Sequence, residues 1–315
     1  MISEQTPEKL LRQFSSHIMM VRPVRFAYNT QTAEDNAFMH KVKSLDSAEI
    51  QTKALAEFEM FVAKLKEVGI RLTIFDDRPE PHTPDSIFPN NWISFHQNEK
   101  IIIYPIKAEN RRLEKRKDIV ETLSELYPNP EVIDWSEFEE KELFLEGTGS
   151  LVLDRYHEIA YACISQRTHQ EVLDAFCQLT GYKPVAVHGF DQDGEEIYHT
   201  NVMMGLGIGF AVVCLDAVRD PEEKAMLQNS LESTGFEIIP LTFHQMNNFA
   251  GNLLQVMAED GTPYVILSQR AYDSLTDSQL AVMRRNSKVL PVPLDIIEVI
   301  GGGSVRCMMT EIFES

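Results

Sequence analysis

Apolar residues along this chain fall into two alternating periods. Five runs, NNWISF, EGTGSLVLD, HTNVMMGLG, GNLLQVMA and GGGSVRCMM, open on polar residues or glycine and continue apolar. Between them lie amphipathic stretches at 48–68, 111–126, 168–179, 221–233 and 276–285. Their apolar residues recur three and four apart, as in Leu55, Phe58, Phe61 and Val62, or Val172, Leu173, Phe176 and Leu179, which is the signature of a helix with one buried face. Each stretch is followed by a further strand-like run: IRLTIF, EVIDW, KPVAVHGF, FEIIPL and KVLPVPL. Asp220 before Pro221 and Thr276 before Asp277 are suitable helix caps. The unit strand, strand, helix, strand is thus written five times.

Asn91, Glu146, His199 and Asn252 open successive units at separations of 55, 53 and 53 residues, and Arg306 and Cys307 follow Asn252 after 54 and 55. One such unit cannot bury both faces of a small sheet, whereas five closed round an axis can, with helices outside and strand starts inside. The pattern predicts an α/β fold, a five-bladed α/β propeller of ββαβ repeats spanning 1–315 as a single domain. The opening segment MMVRPVRFAYN is expected to complete the last blade. A doubly wound sheet also alternates strands and helices, but no GxGxxG turn leads from strand to helix here. The glycines of MMGLGIGFAVV sit inside a β-hairpin pattern. Closure of the ring brings Asn, Glu, His, Asn and Cys to one axis: a thiol nucleophile, an acid/base and hydrogen-bonding partners. That set reads as an active site.

Composition narrows the partners. The chain has 43% hydrophobic and 24% charged residues, as a packed globular protein does, and 29 basic against 48 acidic side chains give a net charge of -19. Such a charge repels nucleic acid and anionic membranes, leaving a small molecule as the expected partner; a homo-oligomer is compatible with it. The longest nearly apolar run, 203–215, contains three glycines and is too short to span a bilayer. MISEQTPEKLLRQFSSH lacks the apolar core of a secretory signal, so a cytoplasmic location is expected. Four cysteines without a C-x-x-C pair suggest neither a disulfide scaffold nor a structural zinc. Cys163, Cys177 and Cys214 read as small buried hydrophobes. Cys307 differs, because it follows GGGSVR, where glycines allow close approach of a ligand and Arg306 could favour the thiolate.

PDSIFPNN, LEG, HTN and a glycine-rich turn ending in Cys resemble, in this order, the motifs of the guanidine-modifying (pentein) superfamily of arginine deiminase, dimethylarginine dimethylaminohydrolase and the amidinotransferases. The motifs run from Asp85 to Cys307, and five repeats are that family's fold. FPNNW and HTN are most similar to the branch of citrulline-utilisation hydrolases. The resemblance implies Cys307 as nucleophile, His199 as general acid/base, Glu146 as its carboxylate partner, and Asp85 and Asn91 as the substrate-holding pair of a D-x-x-F-x-x-D pattern. It implies no cofactor and no metal. Arg167 in SQRT resembles the arginine that takes the substrate's carboxylate; Arg25 in RPVRFAYN and Arg306 are further candidates. Asn252 stands at the equivalent place in its own blade, where it caps backbone. The loop 189–198 lies close enough in sequence to His199 to raise the question of a lid.

The chemistry asks for the same groups. Breaking a carbon–nitrogen bond at a guanidine or urea carbon needs a soft nucleophile, a proton for the departing amine and a base for the following water. Where guanidinium-specific relatives carry a second Asp, this chain has Asn91, and where arginine deiminase has H-x-D it has His199, Thr200, Asn201. A guanidinium is cationic and only donates hydrogen bonds, so carboxylates suit it; a ureido group is neutral and its oxygen accepts. The expected activity is a cysteine hydrolase converting citrulline to ornithine, ammonia and carbon dioxide. Its rivals are a deiminase or dihydrolase of arginine or methylarginine, an amidinotransferase, and a non-catalytic binding module on the same propeller.

Overall fold

The computed structural model describes residues 13–313. Residues 1–12, which carry most of the segment read above for a secretory signal, lie outside the described residues. Five three-stranded sheets follow one another along the chain. β1 (His17–Arg22) runs parallel to β2 (Arg71–Asp76) and antiparallel to β15 (Thr310–Ile312), so the two ends of the chain meet in one blade and close the ring. The other four share one plan, an antiparallel pair and then a parallel third strand: β3 (Ile93–Phe95), β4 (Lys100–Ile103) and β5 (Glu131–Asp134); β6 (Leu151–Asp154), β7 (Ile159–Ile164) and β8 (Lys183–His188); β9 (Met204–Gly207), β10 (Phe210–Val213) and β11 (Glu237–Pro240); β12 (Leu254–Met257), β13 (Pro263–Ser268) and β14 (Lys288–Val292).

The five expected helices are present. α1 (Ser47–Glu67) starts at a capping box of Asp46 and Glu49 and buries Ile50, Ala54, Phe58, Phe61, Val62 and Leu65. α2 is Lys117–Ser124, α3 is Gln170–Thr180, α4 is Pro221–Ser233 capped by Asp220, and α5 is Asp277–Met283 with Thr276 and Gln279 as a capping box. Two expectations are corrected. MMVRPVRFAYN is a strand only up to Arg22, because Pro23 has no N–H for the ladder, and the rest continues as loop. The helix expected over 111–126 breaks into a turn, Glu109–Arg112, and α2. Arg111 is drawn inward and buried, which leaves Leu113 52% exposed.

Burial follows the ring. β3, β9, β12 and β15 are buried along their whole length and β6 at all but one position, whereas β2, β5, β8, β11 and β14 each leave positions exposed. The inner strands pack on one another, β15 against β3, β6 against β9 and β9 against β12. Apolar clusters bridge neighbouring blades; one joins Met19 and Val21 of β1 to Ile93 and Phe95 of β3 and to Ile119 and Leu123 of α2. Among the described residues no helix is long and apolar enough to cross a membrane.

Candidate active site

The polar residues singled out above do not stand on the inner strands but on the short turns that enter them. Asn91 ends the turn Pro89–Asn91, Glu146 precedes the turn Gly147–Ser150 and His199 precedes Thr200–Met203. Cys307 closes a turn in which its N–H donates to the Ser304 carbonyl at 3.0 Å. Thr200 pins the His199 turn to the neighbouring blade by donating to the Ser150 carbonyl at 2.5 Å and accepting from the Cys163 N–H at 2.6 Å.

Cys307, His199, Asp85, Asn91 and Arg167 line one cavity of about 20 Å³, together with Thr32, Arg111, Tyr198 and the three glycines 301–303. Two amides approach the Cys307 sulfur: Asn252 Nδ2 at 3.3 Å and Asn201 Nδ2 at 3.6 Å. Asn252 is fixed by the Arg306 N–H, which donates to its Oδ1 at 3.0 Å. Asn252 therefore does more than cap backbone. Asn201 also donates to the Thr148 carbonyl at 3.4 Å, so its amide attends the sulfur rather than the cavity in which Asn91 sits.

His199 Nε2 lies 2.8 Å from Glu146 Oε2. Burial raises the Glu146 pKa, but the Arg167 charge, the His199 hydrogen bond and Arg111 outweigh it, and the net effect holds the carboxyl well below its ordinary range. The Lys107 N–H adds a donor at 3.0 Å to the other oxygen. Burial lowers the His199 pKa more than Glu146 raises it. A neutral imidazole against an ionised carboxylate carries its proton on Nε2, which leaves the lone pair on Nδ1. Because the folded Glu146 pKa is depressed, its stabilisation is fully present above the unfolded carboxylate value of about 4.3 and is lost as pH falls through the lower folded value. Glu146→Gln is expected to cost about 1–3 kcal/mol near neutral pH and progressively less in acid, as denaturant titrations near pH 7 and near pH 3 can show.

Asp85 contrasts with Glu146. Its Oδ2 accepts from Asn29 Nδ2 at 2.8 Å and Thr32 Oγ1 at 3.0 Å, and Arg111 Nε stands 3.9 Å away. Burial dominates these partners and raises its pKa. Asn91 Oδ1 accepts from Arg111 Nη1 at 2.7 Å. Asp85 Oδ1 and Asn91 Nδ2 are both buried and have no hydrogen-bond partner in the protein.

Arg167 is 3% exposed and stands 3.6 Å from Glu146 through Nη1. Its Nε and Nη2 donate to Asp35, and Nη2 also donates to the Thr32 carbonyl at 2.9 Å. Lys107 Nζ holds the other Asp35 oxygen at 2.6 Å. Residues 29–39 thus cover the cavity, joined by Tyr198, whose hydroxyl donates to the Gly302 carbonyl at 3.0 Å. Gly302 has φ +63°, and a Cβ there would meet Asn36 Nδ2 at 2.5 Å and Met39 Cγ at 2.6 Å, so the cover needs glycine at this turn.

Two candidates are not brought to the cavity. Arg25 is exposed and pairs with Glu80 at 2.6 Å and with the Pro79 carbonyl at 2.9 Å, because the chain after Pro23 carries it outward. The Arg306 guanidinium turns to the Met309 carbonyl at 2.9 Å and Glu311 at 3.1 Å and lines a separate cavity with Arg155 and Glu311. Sequence reasoning missed Arg111, Asn29, Thr32 and Asp35. Arg111 stands within a run of charges, ENRRLEKRK, that resembles a solvated helix face, and the segment 29–39 has no periodicity to mark it.

No curated protein sequence matches the chain. Solved structures do. The apo structure of ArgZ, an arginine dihydrolase from the ornithine-ammonia cycle in cyanobacteria, superposes with a TM-score of 0.73 at 16% identity, over 95% of this chain and 41% of that one. The chain therefore spans about two fifths of the ArgZ chain in that structure. The ArgZ N-terminal domain, as a cysteine-to-serine variant bound to substrate, gives a TM-score of 0.71 at 17% identity, over 94% of this chain and 99% of that one. Dimethylarginine dimethylaminohydrolase (DDAH) from Pseudomonas aeruginosa, complexed with citrulline, gives 0.64 at 20% identity, over 95% and 99%. These likenesses establish the five-bladed fold. A family model described as N,N dimethylarginine dimethylhydrolase, eukaryotic, matches residues 22–314. With nearly the whole chain matched, the protein belongs to this family and so to the guanidine-modifying pentein superfamily.

Proposed function

We propose that the chain is a cysteine hydrolase that cleaves a carbon–nitrogen bond of a ureido amino acid, citrulline above all, giving ornithine, ammonia and carbon dioxide. The observation that carries this reading is the pair of unpartnered buried atoms in the cavity, Asn91 Nδ2, which donates, and Asp85 Oδ1, which accepts. A neutral ureido group offers an oxygen to the first and an N–H to the second, whereas a guanidinium has no acceptor to offer. Of the two asparagines, only Asn91 contributes to this argument, since the Asn201 amide meets the Cys307 sulfur.

In this scheme His199 Nδ1 takes the thiol proton and the Cys307 thiolate attacks the ureido carbon, with the Asn252 and Asn201 amides donating to the charged sulfur. Collapse of the tetrahedral adduct expels ammonia, protonated by His199, and leaves a thiol-bound carbamoyl-type intermediate. Water deprotonated by His199 cleaves the carbon–sulfur bond, and the freed carbamate loses carbon dioxide to give ornithine. One citrulline and one water thus yield one ornithine, one ammonia and one carbon dioxide. A cavity of about 20 Å³ holds little more than one water, so in this scheme the lining residues make room for the substrate. The substrate carboxylate then replaces Asp35 on Arg167. Cytoplasmic location and action of all five blades as one catalytic domain belong to the same proposal.

A second reading, hydrolysis of the guanidino group of arginine or a methylarginine, is favoured by the family's description and by the two buried carboxylates Asp85 and Glu146. Asn91→Asp separates the two. It replaces a donor by an acceptor, so kcat/KM for citrulline is expected to fall by about tenfold to a hundredfold, the scale of one unpaired buried polar group. Arginine, a cation, gains a carboxylate partner. Rates on both substrates decide the matter; a ratio that does not move toward arginine would leave the ureido reading without its support.

A further inference from the structure

The Asn91 amide can in principle face either way, and a freely turning amide would read an acceptor or a donor equally well. It is not free here. Arg111 donates to both carboxylate oxygens of Glu114 at 2.9 Å, to the Phe88 carbonyl at 3.1 Å and, through Nη1, to Asn91 Oδ1 at 2.7 Å. Arg111 is 3% exposed and Glu114 4%. A guanidinium has five donors and no acceptor, so the reversed amide would set NH2 against N–H at hydrogen-bond distance. Oδ1 must therefore face Arg111. Nδ2 is left as the Asn91 atom for the ligand, buried and without a protein partner.

We propose that Arg111 is the positioning residue for substrate choice: clamped by Glu114, it fixes the Asn91 amide so that the site presents a donor and demands an acceptor from the substrate. The inference rests on the ureido reading and adds what makes it selective. Asparagine supplies an ambivalent amide, and the buried cation behind it turns that amide into a one-way reader. Arg111 acts through Asn91, with no contact to the reacting atoms required.

Calorimetric affinities for citrulline and arginine, measured in the Cys307→Ala background so that nothing turns over, test this. The variant Arg111→Gln/Glu114→Gln replaces the cation by an amide with both donor and acceptor and removes the Glu114 charge along with it; Asp85, 3.9 Å from Arg111 Nε, loses a cation in this variant and keeps one in Arg111→Lys. The preference for citrulline over arginine is expected to shrink about tenfold or more. Arg111→Lys, still free of acceptors, is expected to keep it. Both ligands share the same amino-acid end. An arginine that only anchored their carboxylate, or only supported the fold, would weaken both alike and leave the ratio unchanged, which would overturn the proposal, as would loss of the preference in Arg111→Lys. Should the Cys307→Ala parent show no preference for citrulline, the ureido reading itself falls and the inference falls with it; a parent preference that survives Arg111→Gln/Glu114→Gln sinks the inference alone.

Discussion

Cys307→Ser is expected to lower citrulline turnover on the order of 10⁴-fold or more while leaving the protein folded. A serine hydroxyl is a far harder proton to remove than a thiol, and a single neutral histidine at the site does not make up the difference. The fold has little at stake in the exchange. Serine is smaller than cysteine but keeps an acceptor for the Asn252 and Asn201 amides that approach the sulfur at 3.3 and 3.6 Å. Melting curves within about 1 kcal/mol of the wild type, with turnover lost, are the expected pair of results. A serine variant that works at a near-normal rate would exclude Cys307 as the nucleophile.

Gly149→Ala is expected to have the next largest effect, from a position that carries no chemistry. A Cβ at Gly149 would lie 2.4 Å from Asn91 Nδ2 and 2.8 Å from His199 Nδ1. No L-residue Cβ tolerates such distances, so both side chains must move. A displacement of about 1 Å at reacting groups costs on the order of 10²-fold in rate, whereas overpacking of this kind costs about 1–3 kcal/mol in stability. Kinetics and denaturant unfolding on one preparation read both. Wild-type kinetics in Gly149→Ala would mean that Asn91 and His199 do not converge over this glycine.

The convergence of the site residues was legible because a repeat forces it. Residues placed alike in units of equal length must meet at the axis, and Asn91, Glu146, His199, Asn252 and Cys307 do so through the turns before β3, β6, β9, β12 and β15. Closure by β1 was legible for the same reason, since the last unit lacks a partner strand. What escaped sequence reasoning depends on where a long side chain points. Arg306, next to Cys307 in sequence, turns to Glu311, and Arg25 pairs outward with Glu80. Arg111 does the reverse, leaving a charged run to be buried against Glu114 and Asn91. The sequence shows that each is charged, but the partner that settles its direction lies on another element or across a turn. The 29–39 cover is a loop held by Asp35, Asn36 and Thr32 to residues far along the chain, and such contacts leave no periodic trace.

The most direct test of the account is to identify products. The purified protein is incubated separately with citrulline, arginine and methylated arginines, and the mixtures are resolved by mass spectrometry. Ornithine formed from citrulline, with ammonia and carbon dioxide in equal amounts and no reaction of arginine, is the predicted result. Citrulline formed from arginine or a methylarginine, with citrulline itself left unchanged, would contradict it.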